Sequence, residues 1–139
     1  DFLPTGALNK LPGSQISFAP EWSGTAAATY EWDMGSNLMG RVNVGAKYMS
    51  EFNTGSDLDV EKLQEAYTIF NARFVVGSQD DRRTVEFWAQ NLFDEDYVQV
   101  GFDGPLQTNA LGTPGDPRNT YNAFLGAPRT YGMTFRVKY

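Results

Sequence analysis

The amino-acid sequence predicts an all-β fold: an antiparallel, up-and-down sheet of about five strands that crosses a membrane as a segment of a transmembrane β-barrel. Three observations predict it. Five segments alternate apolar and polar residues with period two. The connections around them run long, short, long, short, long. The last segment keeps strict alternation up to an aromatic final residue, Tyr139. A period-two strand turns one row of side chains toward an apolar medium and the other toward water. In an up-and-down sheet, alternate connections lie at the same end. Outer-membrane barrels show that asymmetry, with short periplasmic turns and long extracellular loops.

Taken in order, residues 1–19 carry Pro4, Gly6, Pro12 and Gly13 among short polar stretches and read as an extracellular loop. Residues 20–139 supply the strands. From Glu21 to Trp32, Trp22, Gly24, Ala26, Ala28, Tyr30 and Trp32 share one face, and Ser23, Thr25, Ala27, Thr29 and Glu31 share the other. An aromatic at each end suits a strand whose about ten tilted residues span the roughly 25 Å apolar band of such barrels. Asp33 to Asn37 reads as a tight turn. Leu38 to Ser50 repeats the division, with Leu38, Gly40, Val42, Val44, Ala46 and Tyr48 against Arg41, Asn43, Gly45 and Lys47. A long acidic connection follows at about 51–66, with a helical turn expected near Val60 to Glu65. Tyr67 to Gly77 is the third strand, Gly77 to Arg82 the second short turn, and a fourth strand starts near Arg83 with Val85, Phe87 and Ala89 on its apolar face. Asn91 to Asp96 breaks the alternation. Tyr97 to Phe102 resumes extended structure, and a second long connection at about 103–128 leads to the closing strand, where Tyr131, Met133, Phe135, Val137 and Tyr139 alternate with Gly132, Thr134, Arg136 and Lys138.

Composition narrows the function. The 139 residues include no cysteine and no histidine, and the formal charge is -6. Without these two residue types the usual zinc ligands, the thiol nucleophile and the commonest general base are missing, so the expectation is a protein that is not an enzyme and holds no metal or other cofactor. The negative charge argues against a nucleic-acid partner, which needs clustered Lys and Arg. No apolar run reaches the about 18 residues of a transmembrane helix. Asp1-Phe2-Leu3-Pro4 has neither the basic start nor the apolar segment of a signal peptide, so either the chain is cytoplasmic or it is the processed or internal part of something longer.

Five strands cannot close a barrel, because bacterial outer-membrane barrels begin at eight and have even counts. Open edges in lipid leave backbone groups unpaired. The missing strands are therefore expected from another segment or chain. At this point three stretches, Leu11 to Trp32 (LPGSQISFAPEWSGTAAATYEW), Tyr67 to Tyr97 (YTIFNARFVVGSQDDRRTVEFWAQNLFDEDY) and Gly126 to Tyr139 (GAPRTYGMTFRVKY), resemble the C-terminal barrel segment of TonB-dependent outer-membrane receptors. The Asn91-Leu92-Phe93-Asp94 run and the Gly126-Ala127-Pro128-Arg129 step are its most specific parts. The resemblance covers about residues 9 to 139. It implies the last five strands of a 22-stranded, plugged transporter in the bacterial outer membrane, with its C-terminus periplasmic and its long loops extracellular. The expected partners are the plug and remaining strands of the receptor on another chain or fragment, TonB indirectly through the plug, the barrel-assembly machinery and outer-membrane lipid. Thr130, Gly132, Phe135, Val137 and Tyr139 resemble the terminal assembly signal and mark the seam of closure.

Within that frame the implied function is uptake of a ferric siderophore or a similarly scarce nutrient. Arg41, Lys47 and Arg73, with Arg136 and Lys138, fall on the polar faces opposite Glu31 and Glu86. They either guide an anionic substrate or, as most charges on a polar face do, serve structural pairing and solvation. Trp88 has the same parity and either stacks on a ligand or packs on the plug. Gln107, Asn109, Asn119, Tyr121 and Asn122 in the final loop offer amides and an aromatic suited to a substrate. Asp57, Asp59 and Glu61 lack the spacing and turn glycine of a calcium loop and read as solvated. The competing classes are a soluble β-sandwich or lipocalin-like binding module and a structural outer-membrane barrel that transports nothing.

Overall fold

The computed structural model describes residue 13 and residues 15–56, 58, 60–104 and 121–139. It is all-β, with no α-helix among those residues. By contacts the chain divides into two units. One is the sheet formed by Ser23–Met49, Tyr67–Glu95 and Ala127–Tyr139. The other is built from connecting segments: Ser50–Ala66 and the described parts of residues 1–22 and 96–126.

The sheet unit holds five antiparallel strands: β1 (Ser23–Gly35), β2 (Leu38–Met49), β5 (Tyr67–Ser78), β6 (Arg83–Gln90) and β9 (Thr130–Val137). Their order across the sheet is β1-β2-β5-β6-β9, so chain neighbours among the five are spatial neighbours and the up-and-down topology is as expected. The strands start and stop within a few residues of the predicted positions. β9 stops at Val137, two residues short of the expected end at Tyr139, and the largest differences are in β1. β1 begins at Ser23, after Trp22, and it runs on through Asp33, Met34 and Gly35, which were expected in the turn. Met34 is absorbed as a bulge, because the register slips between Asp33 and Gly35. The turn is then only Ser36 and Asn37, both with positive φ (52° and 63°), the two-residue geometry whose twist matches a hairpin.

The cross-strand register lines up all five strands by face. Ala28, Val44, Ala72, Ala89 and Tyr131 form one row. Tyr30, Val42, Phe74, Phe87 and Met133 form the next, and Trp32, Gly40, Val76, Val85 and Phe135 a third. On the opposite face the rows read Thr29, Asn43, Arg73, Trp88, Gly132 and Glu31, Arg41, Val75, Glu86, Thr134. One face is thus apolar from edge to edge. Rings line it: Tyr30 stacks on Trp32 along β1 at 5.6 Å between centroids, and across strands Trp32 stacks on Phe74 at 6.1 Å and Phe74 on Phe87 at 6.5 Å. The indole of Trp32 occupies the space over Gly40, where a Cβ would stand 2.5 Å from it.

Both short turns lie at one end of the sheet. The Gln79 amide N–H donates to the Asn37 carbonyl at 3.0 Å, and its side chain donates to Asp33 at 3.2 Å, bridging the two turns. The Lys138 amide donates to the Arg82 carbonyl at 2.8 Å, so the end of β9 meets the same rim.

The second unit contains ladders that period-two reading does not find. β3 (Phe52–Asn53) pairs with β4 (Leu63–Gln64), flanking a 3-10 turn at Val60–Lys62 where a helical turn was expected. β7 (Val98–Asp103) pairs with β8 (Tyr121–Leu125). The expected connection at 103–128 therefore contains a strand, and 97–102 pairs with it rather than joining the main sheet. Among the described residues only Phe52 and Tyr67 are buried apolar side chains.

Candidate functional site: the polar face of the sheet

Four of the predicted site residues, Arg41, Lys47, Arg73 and Trp88, fall on the polar face. Arg41 stands directly across from Glu31 and forms an ion pair through its Nε. Arg73 reaches Glu86 diagonally at 3.7 Å. Both arginines are thus answered within the sheet, and they do not form the uncompensated basic wall that guidance of an anion asks for. At such exposed sites each pair contributes less than about 1 kcal/mol. Lys47, Arg136 and Lys138 make no ion pair among the described residues.

Trp88 neither projects freely nor stacks on another ring among the described residues. Its indole lies over Gly132 of the adjacent strand, and a Cβ at Gly132 would come within 2.5 Å of it. Gly132 is required because it leaves that space open. The same device places Trp32 over Gly40 on the other face.

Near the turn end a shallow concavity of about 110 Å³ is lined by Arg41, Glu86, Arg136 and Lys138, with Asp81, Val75 and Thr84. Ligand pockets run to about 300–1,000 Å³. This one admits a few waters or a small ion. The wall is chemically a mixed-charge surface.

Of the remaining predicted residues, Gln107, Asn109 and Asn119 lie outside the described residues, as do Asp57 and Asp59. Tyr121 opens β8 opposite Asp103, and Asn122 is exposed on the same strand opposite Phe102. Glu61 is exposed in the 3-10 turn. Thr130 pairs with Gln90 and Gly132 with Trp88. Phe135 and Val137 stand on the apolar face, and Tyr139 lies beyond the end of β9.

No protein-family model, curated protein or solved structure matches the chain. The resemblance therefore rests on its motifs, and the structure gives two of them a physical role. Asn91 is buried and has φ of 50°, a left-handed value that Asn tolerates better than most residues. Its side-chain amide donates to the carbonyls of Glu95 (2.9 Å) and Ala127 (3.1 Å), and its oxygen accepts from the Glu95 amide (2.8 Å). Its own backbone N–H donates to the Asn71 side chain at 3.0 Å. Asp94, also at positive φ, accepts from the Arg129 amide at 2.8 Å and pairs with the Arg129 guanidinium at 3.6 Å. Asn91 and Asp94 thus tie the Asn91–Asp94 run to the Ala127–Arg129 step. Sequence reading singled out both stretches as motifs without assigning these side chains a function. The buried position and the left-handed φ require the fold to be seen.

In the second short turn the Ser78 hydroxyl, and then the Arg82 backbone amide, hold the Asp80 carboxyl below its ordinary range.

Proposed function

We propose that the chain is part of the wall of a bacterial outer-membrane β-barrel belonging to a TonB-dependent importer, contributing five strands and their extracellular loops to uptake of a ferric siderophore or similar scarce nutrient. The observation that carries the membrane reading is the apolar face, whose three central rows are apolar from edge to edge. Tyr131, Phe135 and Val137 remain 80%, 67% and 59% exposed, and Tyr30 66%, although they sit in register with apolar neighbours across the whole sheet. A contiguous apolar surface of this kind marks a contact with lipid or protein. Its opposite face is charged and hydrogen-bonded, as the lumen side of a large barrel is.

The edges support a larger assembly. β1 and β9 each have one neighbour in the sheet. Along the eight residues of β9, about four residues direct both backbone groups outward, and each unsatisfied group costs several kcal/mol in hydrocarbon. Further strands on both edges remove that cost. The importer reading rests on the motif resemblance and on the mixed-charge wall, whose cations Lys47, Arg136 and Lys138 suit the carboxylates of a plug or an anionic solute.

The membrane reading is tested by flotation. The purified 139-residue chain, diluted from urea into vesicles, is expected to float with lipid and to precipitate without lipid or detergent. A chain that stays monomeric in plain buffer ends the membrane reading. The importer reading is tested by mass spectrometry of proteins crosslinked to Lys47 or Lys138 in outer membranes. A plug-bearing receptor fragment is expected, and a barrel with no lumen-filling partner favours a structural role.

A further inference from the structure

Arg83 breaks the pattern of the apolar face. It opens β6 directly across from Val137, so it shares a face with Val85, Phe87, Phe135 and Val137, not with the charged wall. It is exposed and makes no ion pair among the described residues, whereas its neighbour Arg82 is engaged by Asp80 at 3.5 Å. Arg83 itself lines, together with Arg136, a groove of about 440 Å³ whose apolar lining is Leu38, Val76, Val85, Phe135 and Val137, with Ser36 and Asn37 at its turn end.

Resting on the membrane reading above, we propose that this groove binds one anionic phospholipid of the leaflet on the side of the short turns. Its phosphate would sit against the Arg83 guanidinium and its acyl chain along Leu38, Val76, Val85, Phe135 and Val137. A cation on a lipid-facing surface is tolerated where a long side chain reaches the headgroups, and Arg83 stands one residue from the turn. The choice of an anionic headgroup follows from charge. Among the described residues no carboxylate pairs with Arg83, and a zwitterionic headgroup would bring its own ammonium beside the guanidinium. Ser36 and Asn37 add hydrogen-bonding groups at the level where a glycerol or headgroup hydroxyl would lie.

The test uses the full chain in zwitterionic detergent, titrated with dioleoylphosphatidylglycerol or dioleoylphosphatidylcholine and read by native mass spectrometry. One phosphatidylglycerol is expected to be retained at about fivefold lower concentration than phosphatidylcholine. Arg83→Gln is expected to erase that preference, while Arg83→Lys and Arg82→Gln keep it. Flotation of each variant on vesicles runs in parallel. If all variants float and Arg83→Gln retains the preference, or the native chain shows none, the lipid site is overturned and the membrane reading stands. If no variant enters vesicles, both fall.

Discussion

Placing one charge on each face of the sheet separates a lipid-facing wall from a water-exposed sheet. Val44 lies on the apolar face, with Ala28 and Ala72 beside it, and is 42% exposed. It is six residues along β2 from Leu38, so at about 3.3 Å per residue and a tilt of about 40° it stands roughly 15 Å from the turn end, close to the middle of the apolar band. Val75 on the opposite face lies between Arg41 and Glu86. In lipid, Val44→Arg costs about 2–4 kcal/mol at that depth. This lowers the ratio of vesicle-bound to free chain roughly 30- to 1,000-fold. Val75→Arg faces water and a carboxylate and changes the ratio by less than about threefold. If the apolar face looked into water, Val44→Arg would be a surface substitution within about 0.5 kcal/mol. The measurement is flotation across a urea series, quantified by tryptophan fluorescence. Equal partitioning of the two variants would refute the assignment of faces.

Three further outcomes follow from particular contacts. Gly132→Val drives a side chain into the indole of Trp88 and is expected to cost about 1–3 kcal/mol and to alter the near-ultraviolet tryptophan signal, whereas Gly24→Ala, with open space around it, changes stability by less than about 0.5 kcal/mol. Asn91→Ala removes three side-chain hydrogen bonds and strains a left-handed residue, for a loss of about 2–4 kcal/mol in denaturant unfolding; Asn91→Gly relieves the strain alone and is expected to recover about 1 kcal/mol of it. Because the folded Asp80 carboxyl titrates below its unfolded value, its contribution is present above the unfolded value and fades as pH falls through the lowered one. Asp80→Asn should therefore flatten the acid limb of a denaturant midpoint measured against pH, and an unchanged limb would remove Asp80 from it.

The five main strands were legible because each carries enough alternating residues to declare its faces. In Leu38–Met49 the apolar side chains at 38, 42, 44, 46 and 48 leave one assignment, and the register keeps it. Periodicity fails where ladders are short or interrupted. Phe52–Asn53 and Leu63–Gln64 are two residues each, below any period, and Tyr121–Leu125 stands alone after a stretch rich in Gly and Pro. The Met34 bulge was hidden because a turn-forming composition and a bulged strand look alike in Asp33-Met34-Gly35. The charged face was legible as a set of residues, but which of its arginines are paired was not. Pairing of Arg73 with Glu86 depends on a diagonal offset between β5 and β6 that only the register supplies. Trp88 left ligand stacking and plug packing both open, because the space over Gly132 in which its indole lies has no side chain to announce it.

The clasp formed by Asn91 and Asp94 bears on how such a chain can change over evolutionary time. About 40 residues separate the paired Gln90 and Thr130, and bringing the ends of a flexible segment that long together costs about 3 kcal/mol in entropy. The bonds to Ala127 and Arg129 hold the two arms of this excursion together at its neck. In the chain, residues 96–126 fall between the two arms. Doubling their length adds only about 0.6 kcal/mol to the closure term, and the alignment of β6 with β9 is held by bonds that the excursion does not contribute. The intervening segment is thereby free to be lengthened or exchanged, and to acquire new recognition surfaces, while the five-strand sheet keeps one unchanging register.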